Sequence, residues 1–473
     1  MNTHMIWHDI KRNKAINIGL LLFIIFSSTL AAISALVGVQ TFIAINELYE
    51  IAQPPHFLQM HKGDFDVNEI EIFMNQDERV EYWQVVTMID VLSDQWTLNQ
   101  DEKETNLSDF RLDIGIVKQN ESRDLLLNDQ HEKVMIENGY IGIPVLMKTM
   151  YNIKVGDTIT LEINDFNKTF IISDIILDAQ MNSPMTSSTR ILVSDEDFDL
   201  LSNQTDQVEY LIEAYFSNKN AGNTFLTDYQ NAGLPQDGQA VTYAMILILS
   251  AFTDIVTVFV MLIVSILLIL MSFICVRFTM LAAIEEEIQE IGSMKAIGLS
   301  HKDVRQLYLA KYRMISWVGA LIGFSLSILI APMFTKHIST TFGQFPLSFL
   351  AIGCAIVVSL LLVTIIIQYA KHVLKNLKKM TVVDTLVRGQ NGRSVRKIPK
   401  KSINTYKKTH VNIFLSLRES VFYFKTWIVI FFLALVTTLM ILIPSNILTT
   451  FQSDDFITYM GSSKEDMLIE VNP

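Results

Sequence analysis

The chain has 473 residues, of which 50% are hydrophobic and 18% charged, with a formal net charge of −12. That is more apolar than an ordinary soluble chain and more polar than a bare bundle of membrane helices, so lipid-soluble and water-soluble parts are both expected. The two cysteines, Cys275 and Cys354, both fall in long apolar runs, which excludes an intrachain disulfide in the soluble part and a metal pair.

In chain order, residues 1–14 form a short basic N-terminus with Lys11, Arg12 and Lys14. An apolar run over 15–43 follows, and roughly 20 helical residues suffice to cross a hydrocarbon layer of about 30 Å. Its length and the four similar runs downstream argue against a cleaved signal peptide. The next stretch, 44–254, is polar. Between Ala44 and Ala240 stand 35 Asp and Glu against 12 Lys and Arg, a balance of −23, so the acid of the whole chain is concentrated here. Such charge can form a cation or cationic-peptide site and is more often a solvated surface. An apolar run broken at Gly156-Asp157 resumes with period two as far as Ile163; further strands are predicted over Lys168 to Ile176 and Arg190 to Val193, and a helix over Asp195 to Leu201. The mixture reads as α+β. His131-Glu132 is followed by Met135 where a zinc-protease motif requires a second histidine. No Gly-rich Lys-Ser/Thr loop occurs, so the chain does not cradle nucleotide phosphates in the usual way.

A second membrane run over 255–278 leads into the segment 279–314. There Ile284, Ile288 and Ile291 recur at helical spacing beside an acidic face, Gly292 and Gly298 permit a turn or a close approach, and Ser300 with Asp303 forms a capping pair for the next helix. The pattern is helix, break, helix. Membrane runs over 315–334 and 347–369 follow; Gly319 and Gly323 in the first form a G-x-x-x-G that allows close helix approach and is expected to support dimer or partner-half packing. The linker 370–426 is basic, since Lys371 to Trp427 holds fourteen Lys and Arg against Asp384 and Glu419. It is expected to lie against anionic headgroups. A fifth run spans 427–447, before a tail over 448–473. Lysine and arginine placement puts the N-terminus and the linker in the cytoplasm and the acidic domain outside.

The stretch Glu290-Ile291-Gly292-Ser293-Met294-Lys295-Ala296-Ile297-Gly298 resembles the signature that FtsX/MacB-type ABC permeases carry just after their second membrane helix. Leu146 to Asp178 is similar to the core of the MacB-like periplasmic domain. Met380 to Arg388 resembles the family's closing motif, with Val382 where the usual proline stands. The resemblance implies an α-helical polytopic membrane protein with an inserted α+β extracytoplasmic domain, in the FtsX/MacB-like (type VII ABC) permease architecture, in a bacterial plasma membrane. It further implies a non-catalytic subunit served by a separate ABC ATPase dimer, which holds the ATP and magnesium, and a second permease half or subunit. Glu286, Glu290, Gly292, Lys295 and Gly298 then carry the ATPase-coupling contacts, and motion reaches the outer domain by mechanotransmission. Export or removal of antimicrobial peptides, lipids or other amphiphiles is the expected task; the alternatives are FtsX-like regulation of an extracellular peptidoglycan hydrolase and a truncated, inactive permease half. Ile10 to Lys14 and Leu417 to Lys425 are similar basic entries to apolar helices, and Asp466 to Val471 reads as the first strand of another outer domain. The expectation is one permease half followed by the beginning of a second.

Overall fold

From Lys14 to Ala52 the chain has no proline, and no charge beyond its first residue until Glu47, so nothing interrupts a single 39-residue helix, α1. The structure, a computed structural model, describes residues 14–100, 103–163, 166–183, 185–344, 346–375 and 424–451. The N-terminal Lys11 and Arg12, the motif Met380 to Arg388, most of the basic linker and the strand read over Asp466 to Val471 lie outside the described residues. Two compact units divide the chain, one comprising residues 37–256 and 332–351 and the other the remainder.

In the first unit α1 gives way to β1 (Phe57–Lys62), α2 (Val67–Gln76), β2 (Val80–Val91), β3 (Trp96–Gln100), β4 (Lys103–Asn106) and β5 (Asp113–Val117). Then come β6 (Tyr140–Pro144), α3 (Val145–Tyr151), β7 (Thr158–Ile163), β8 (Phe166–Ile176), β9 (Ser188–Leu192), α4 (Asp195–Ser202), β10 (Val208–Phe216), α5 (Gly222–Asn231) and β11 (Ala240–Thr242). They make one mixed sheet in the order β11-β1-β10-β2-β5-β9-β6-β8-β7-β3-β4, parallel at β5–β9 and β6–β8. Strand alternation decides which side chains enter the core: in β7, Ile159, Leu161 and Ile163 are buried while the residues between them are not. Three apolar cores result among the described residues. One gathers Trp96, Ile114, Ile143, Ile159 and Phe170 with Phe198 and Leu201 of α4. In a second, Phe225 and Tyr229 of α5 and Ile70 of α2 pack on Phe57 and Phe216. The third gathers Leu58, Met88, Val117, Ile176 and Leu211.

The segment before Gly156 is not a strand. Helix α3 ends with Asn152 in the left-handed region (φ 54°), and Ile153 to Val155 are its exit, turned by Asp157, whose carboxylate accepts the Lys154 amide at 2.8 Å. The apolar stretch Tyr243 to Leu249 has no Gly or Pro to stop it, so helix α6 begins at Tyr243, ahead of the membrane run read over 255–278, and continues to Glu286. Helices α7 (Ile288–Ala296), α8 (His301–Phe342), α9 (Phe349–Val373) and α10 (Phe424–Phe451) complete the described chain. Five of the described helices are long and apolar enough to cross a membrane.

Candidate functional site

The connector between α6 and α8 is built from three stops and starts. Glu287 leaves the helical region (φ −99°, ψ 18°), which ends α6 and starts α7. At the other end of α7, Gly298 takes φ +103°, where a side chain is strained. Its amide donates to the Lys295 carbonyl at 3.1 Å and that of Leu299 to the Met294 carbonyl at 3.1 Å, the paired bonds of a Schellman turn. Two residues later the capping box read from the sequence is present. The Asp303 amide donates to Ser300 Oγ at 3.3 Å, and the Ser300 amide to Asp303 Oδ2 at 3.2 Å.

These terminations orient α7. Ile291 and Gly292 are buried, as is Lys295, whose pKa is pushed down by that burial. Ile284, Ile291, Val304, Tyr308 and Tyr312 share a core with Leu362, Ile366 and Ala370 of α9, and the Tyr308 hydroxyl donates to Glu287 at 2.5 Å. Gln289, Glu290, Ser293, Ala296 and Ile297 are exposed, Ile297 by 82%. Of the five residues read as coupling contacts, Glu290 and Gly298 therefore lie on the surface, whereas Gly292 and Lys295 face the protein's own helices; Glu286 closes α6. The exposed Ile297 is not marked by the sequence pattern, in which only its neighbour Gly298 signals the helix end.

Gly319 and Gly323 do bring helices together, and the partner is α1. A Cβ on Gly319 would come within 2.7 Å of Ile24 Cγ2, and one on Gly323 within 2.7 Å of the Ile25 carbonyl oxygen. The approach lets Thr29 Oγ1 donate to the Gly323 carbonyl at 3.2 Å and Ser28 Oγ to that of Ala320 at 3.4 Å.

In the globular unit the sheet grips helix ends through a buried ionic network invisible to the sequence reading. Arg190 of β9 donates to both oxygens of Asp178 (2.7 and 2.6 Å) and both of Asp124 (2.5 and 3.0 Å), with all three side chains at most 2% exposed. Burial works against every charge here; for Arg190 the two carboxylates outweigh it and keep the guanidinium charged, and for Asp178 the guanidinium does the same. Glu213 of β10 is the exception. Burial, with the Asp124 charge beside it, raises its pKa well above the carboxylate range, so it is held protonated while Gln84 (2.7 Å) and Tyr215 (2.8 Å) bond to it.

Both acids that hold Arg190 belong to loops that also hold helices. The Asp124 and Leu125 amides donate to the carbonyls of Gln53 and Ala52 at the end of α1, at 3.0 and 2.8 Å. Asp178 accepts the amides of Gln180 and Met181, and the same loop sends Ser183 Oγ to the Leu249 carbonyl of α6 and Asn182 Nδ2 to the Thr341 carbonyl of α8, both at 2.8 Å. His131 Nε2 meets the Phe342 carbonyl at 2.8 Å. One cation thus ties together the loops that clasp α1, α6 and α8. The available signal was a lone arginine leading into the apolar run Ile191-Leu192-Val193 and a lone glutamate between Ile212 and Ala214.

Residues 262–372 match the family described as FtsX-like permease C-terminal. No curated protein matches the chain. Among solved structures, the periplasmic region of MacB from Actinobacillus actinomycetemcomitans is similar over 42% of this chain and 93% of that one, at 9% identity and a TM-score of 0.23. A domain of a permease-type protein from Porphyromonas gingivalis is similar over 38% of this chain and 84% of its own, at 10% identity and a TM-score of 0.22.

Proposed function

We propose that this chain, an FtsX/MacB-type permease and so a membrane subunit of an ABC transporter, works by mechanotransmission, passing motion from a separate ATPase to its globular domain. The observation that carries the reading is the construction of α7. It is a short helix that starts at the break at Glu287 and ends in a Schellman turn followed at once by the capping box of α8, packed by Ile291 onto its own core, with Gln289, Glu290, Ser293 and Ile297 left on the outside. An element so fixed moves as a body when its outer face is pushed, and coupling through rigid elements is how small displacements travel. Three unbroken helices, α1, α6 and α8, each contribute residues to both units, and the Arg190 network clasps their far ends.

The ATPase acts as a dimer on one side of the bilayer, with ATP and magnesium, while the acidic domain works on the other beside a second permease half. The task is export or removal of an amphiphile such as an antimicrobial peptide or a lipid. Glu290 meets a basic group of the ATPase, and Ile297 enters an apolar recess on it. Charge reversal at Glu286 and Glu290, or Ile297→Asp, is expected to abolish copurification of the ATPase from detergent and to reduce its stimulated hydrolysis. Unchanged copurification and hydrolysis in all three variants would refute the coupling role of α7.

A further inference from the structure

Near the base of the globular unit, where α1 ends and α6 begins, lies a cavity of about 440 Å³. Its walls include Tyr49, His56, Arg123, Tyr215, Lys219 and Tyr243. The two cations are held by aromatic residues, not by acids, and Lys219 Nζ also donates to the Tyr243 hydroxyl at 3.5 Å. The Arg123 guanidinium carbon sits 4.8 Å from the Tyr215 ring centre and 5.0 Å from that of Tyr82, and Lys219 Nζ sits 4.9 Å from that of Tyr243. Among the described residues neither is in an ion pair. A cation stacked on a ring keeps its charge and its N–H edges available, whereas one paired with a carboxylate has spent both.

His56 adds a third donor. It is 9% exposed, boxed by the Tyr215, Phe216 and Tyr243 rings, and its Nδ1 accepts the Phe216 amide at 2.8 Å. The proton of the neutral imidazole is therefore on Nε2, where no described residue accepts it. Burial, with Lys219 nearby, lowers the His56 pKa to about 4, so the ring stays neutral and serves as a donor. The single acid lining the cavity is Glu50, which leaves the walls net positive in a domain whose balance is −23. Two cations and a buried N–H converging on one cavity, against the sign of the whole domain, select an anion.

We infer that this cavity binds a phosphate group, carried by a lipid headgroup or free in solution. The guanidinium edge matches two phosphate oxygens at once, which a carboxylate shares, but the additional ammonium and imidazole donors suit an anion with a third and fourth oxygen. Tyr49 belongs to α1, which is long and apolar enough to cross a membrane, so a lipid headgroup is one available source of that phosphate. The lipid arm rests on the reading of the protein as a handler of amphiphiles; ATPase copurification, which tests the coupling role of α7, is not moved by changes in this cavity.

The full chain in detergent is titrated calorimetrically with dihexanoyl phosphatidic acid, with inorganic phosphate and with uncharged dihexanoyl glycerol. Saturable binding of a phosphate-bearing probe is expected, weakened about tenfold or more by Arg123→Gln and by Lys219→Gln, in line with the loss of one charge-assisted bond, and strengthened by Glu50→Gln. A lipid probe that binds at least tenfold more tightly than inorganic phosphate identifies the headgroup as the source, and equal affinities identify the free anion. Lys219 is exposed, so its variant keeps the test valid if Arg123→Gln fails to fold. Absence of saturable binding by both phosphate probes, affinities unchanged in both variants, or equal binding of dihexanoyl glycerol would overturn the assignment.

Discussion

The two units bury polar groups by different means. In the membrane unit the solution is mostly local: Ser34 bonds back to the Leu30 carbonyl at 2.8 Å, Ser272 to that of Leu268 at 3.0 Å and Ser316 to that of Tyr312 at 2.7 Å, each four residues earlier on the same helix. In the globular unit it is distant. Arg190 finds Asp124 66 residues away in sequence, and Gln84 finds Glu213 across 129. A hydroxyl that satisfies itself tolerates a changed neighbour, but a charge shared between loops fails together with them. The globular unit should therefore depend on a few electrostatic contacts, and the membrane unit on shape.

The largest effect is expected from Arg190→Met, which leaves Asp124 and Asp178 buried without their cation. Breaking one side of such a cluster costs about 3–5 kcal/mol, to be read as a lowered melting temperature and early proteolysis within residues 57–242. Neutralising the orphaned acids in the same chain (R190M with D124N and D178N) should recover much of the loss; no recovery would mean that arginine packing, not charge, is what matters.

Glu213→Gln sharpens the same point through pH. Because burial raises the folded pKa above the unfolded one, Glu213 contributes fully only below the unfolded value near about 4.3, and that contribution drains away as pH rises toward the folded value. Glutamine has nothing to titrate. The variant should thus gain on the native protein as pH increases from 5 to 8, by at most about 1.4 kcal/mol per unit, and a difference that stays flat over this range would show that Glu213 is ionised in the fold.

On the membrane side, Gly323→Leu must push α8 off the α1 backbone and should cost about 1–3 kcal/mol, seen as a lower melting temperature without proteolysis in the sheet. Indifference to leucine would mean that the two helices do not need their close approach. The smallest change is Gly298→Ala, about 1–2 kcal/mol for a Cβ in the left-handed region. Its signature is faster amide exchange confined to residues 294–303, and exchange spread through α8 would contradict a purely local turn.

Much of the connector was legible because its rules are short-range. Ser300 and Asp303 are three residues apart and bond to each other wherever that stretch begins a helix; Gly298 follows a helical pattern and ends it. Gly319 and Gly323 announced a close approach, though the sequence does not say that the neighbour is α1, since nothing within one helix encodes which other helix it meets. The segment before Gly156 misled because β-branched residues at a helix exit look like a strand until the left-handed Asn152 is known.

Local order, span length and the placement of turns were determined by the sequence itself, since propensity, apolar run length and capping act over a few residues. Which charges lie inside was decided only by the tertiary structure. Arg190 and Glu213 carry no mark in the chain that distinguishes a buried charge from a solvated one. Their meaning depends on Asp124, Asp178 and Gln84, which the sheet brings together from strands and loops far apart in sequence, and on the desolvation that this assembly imposes.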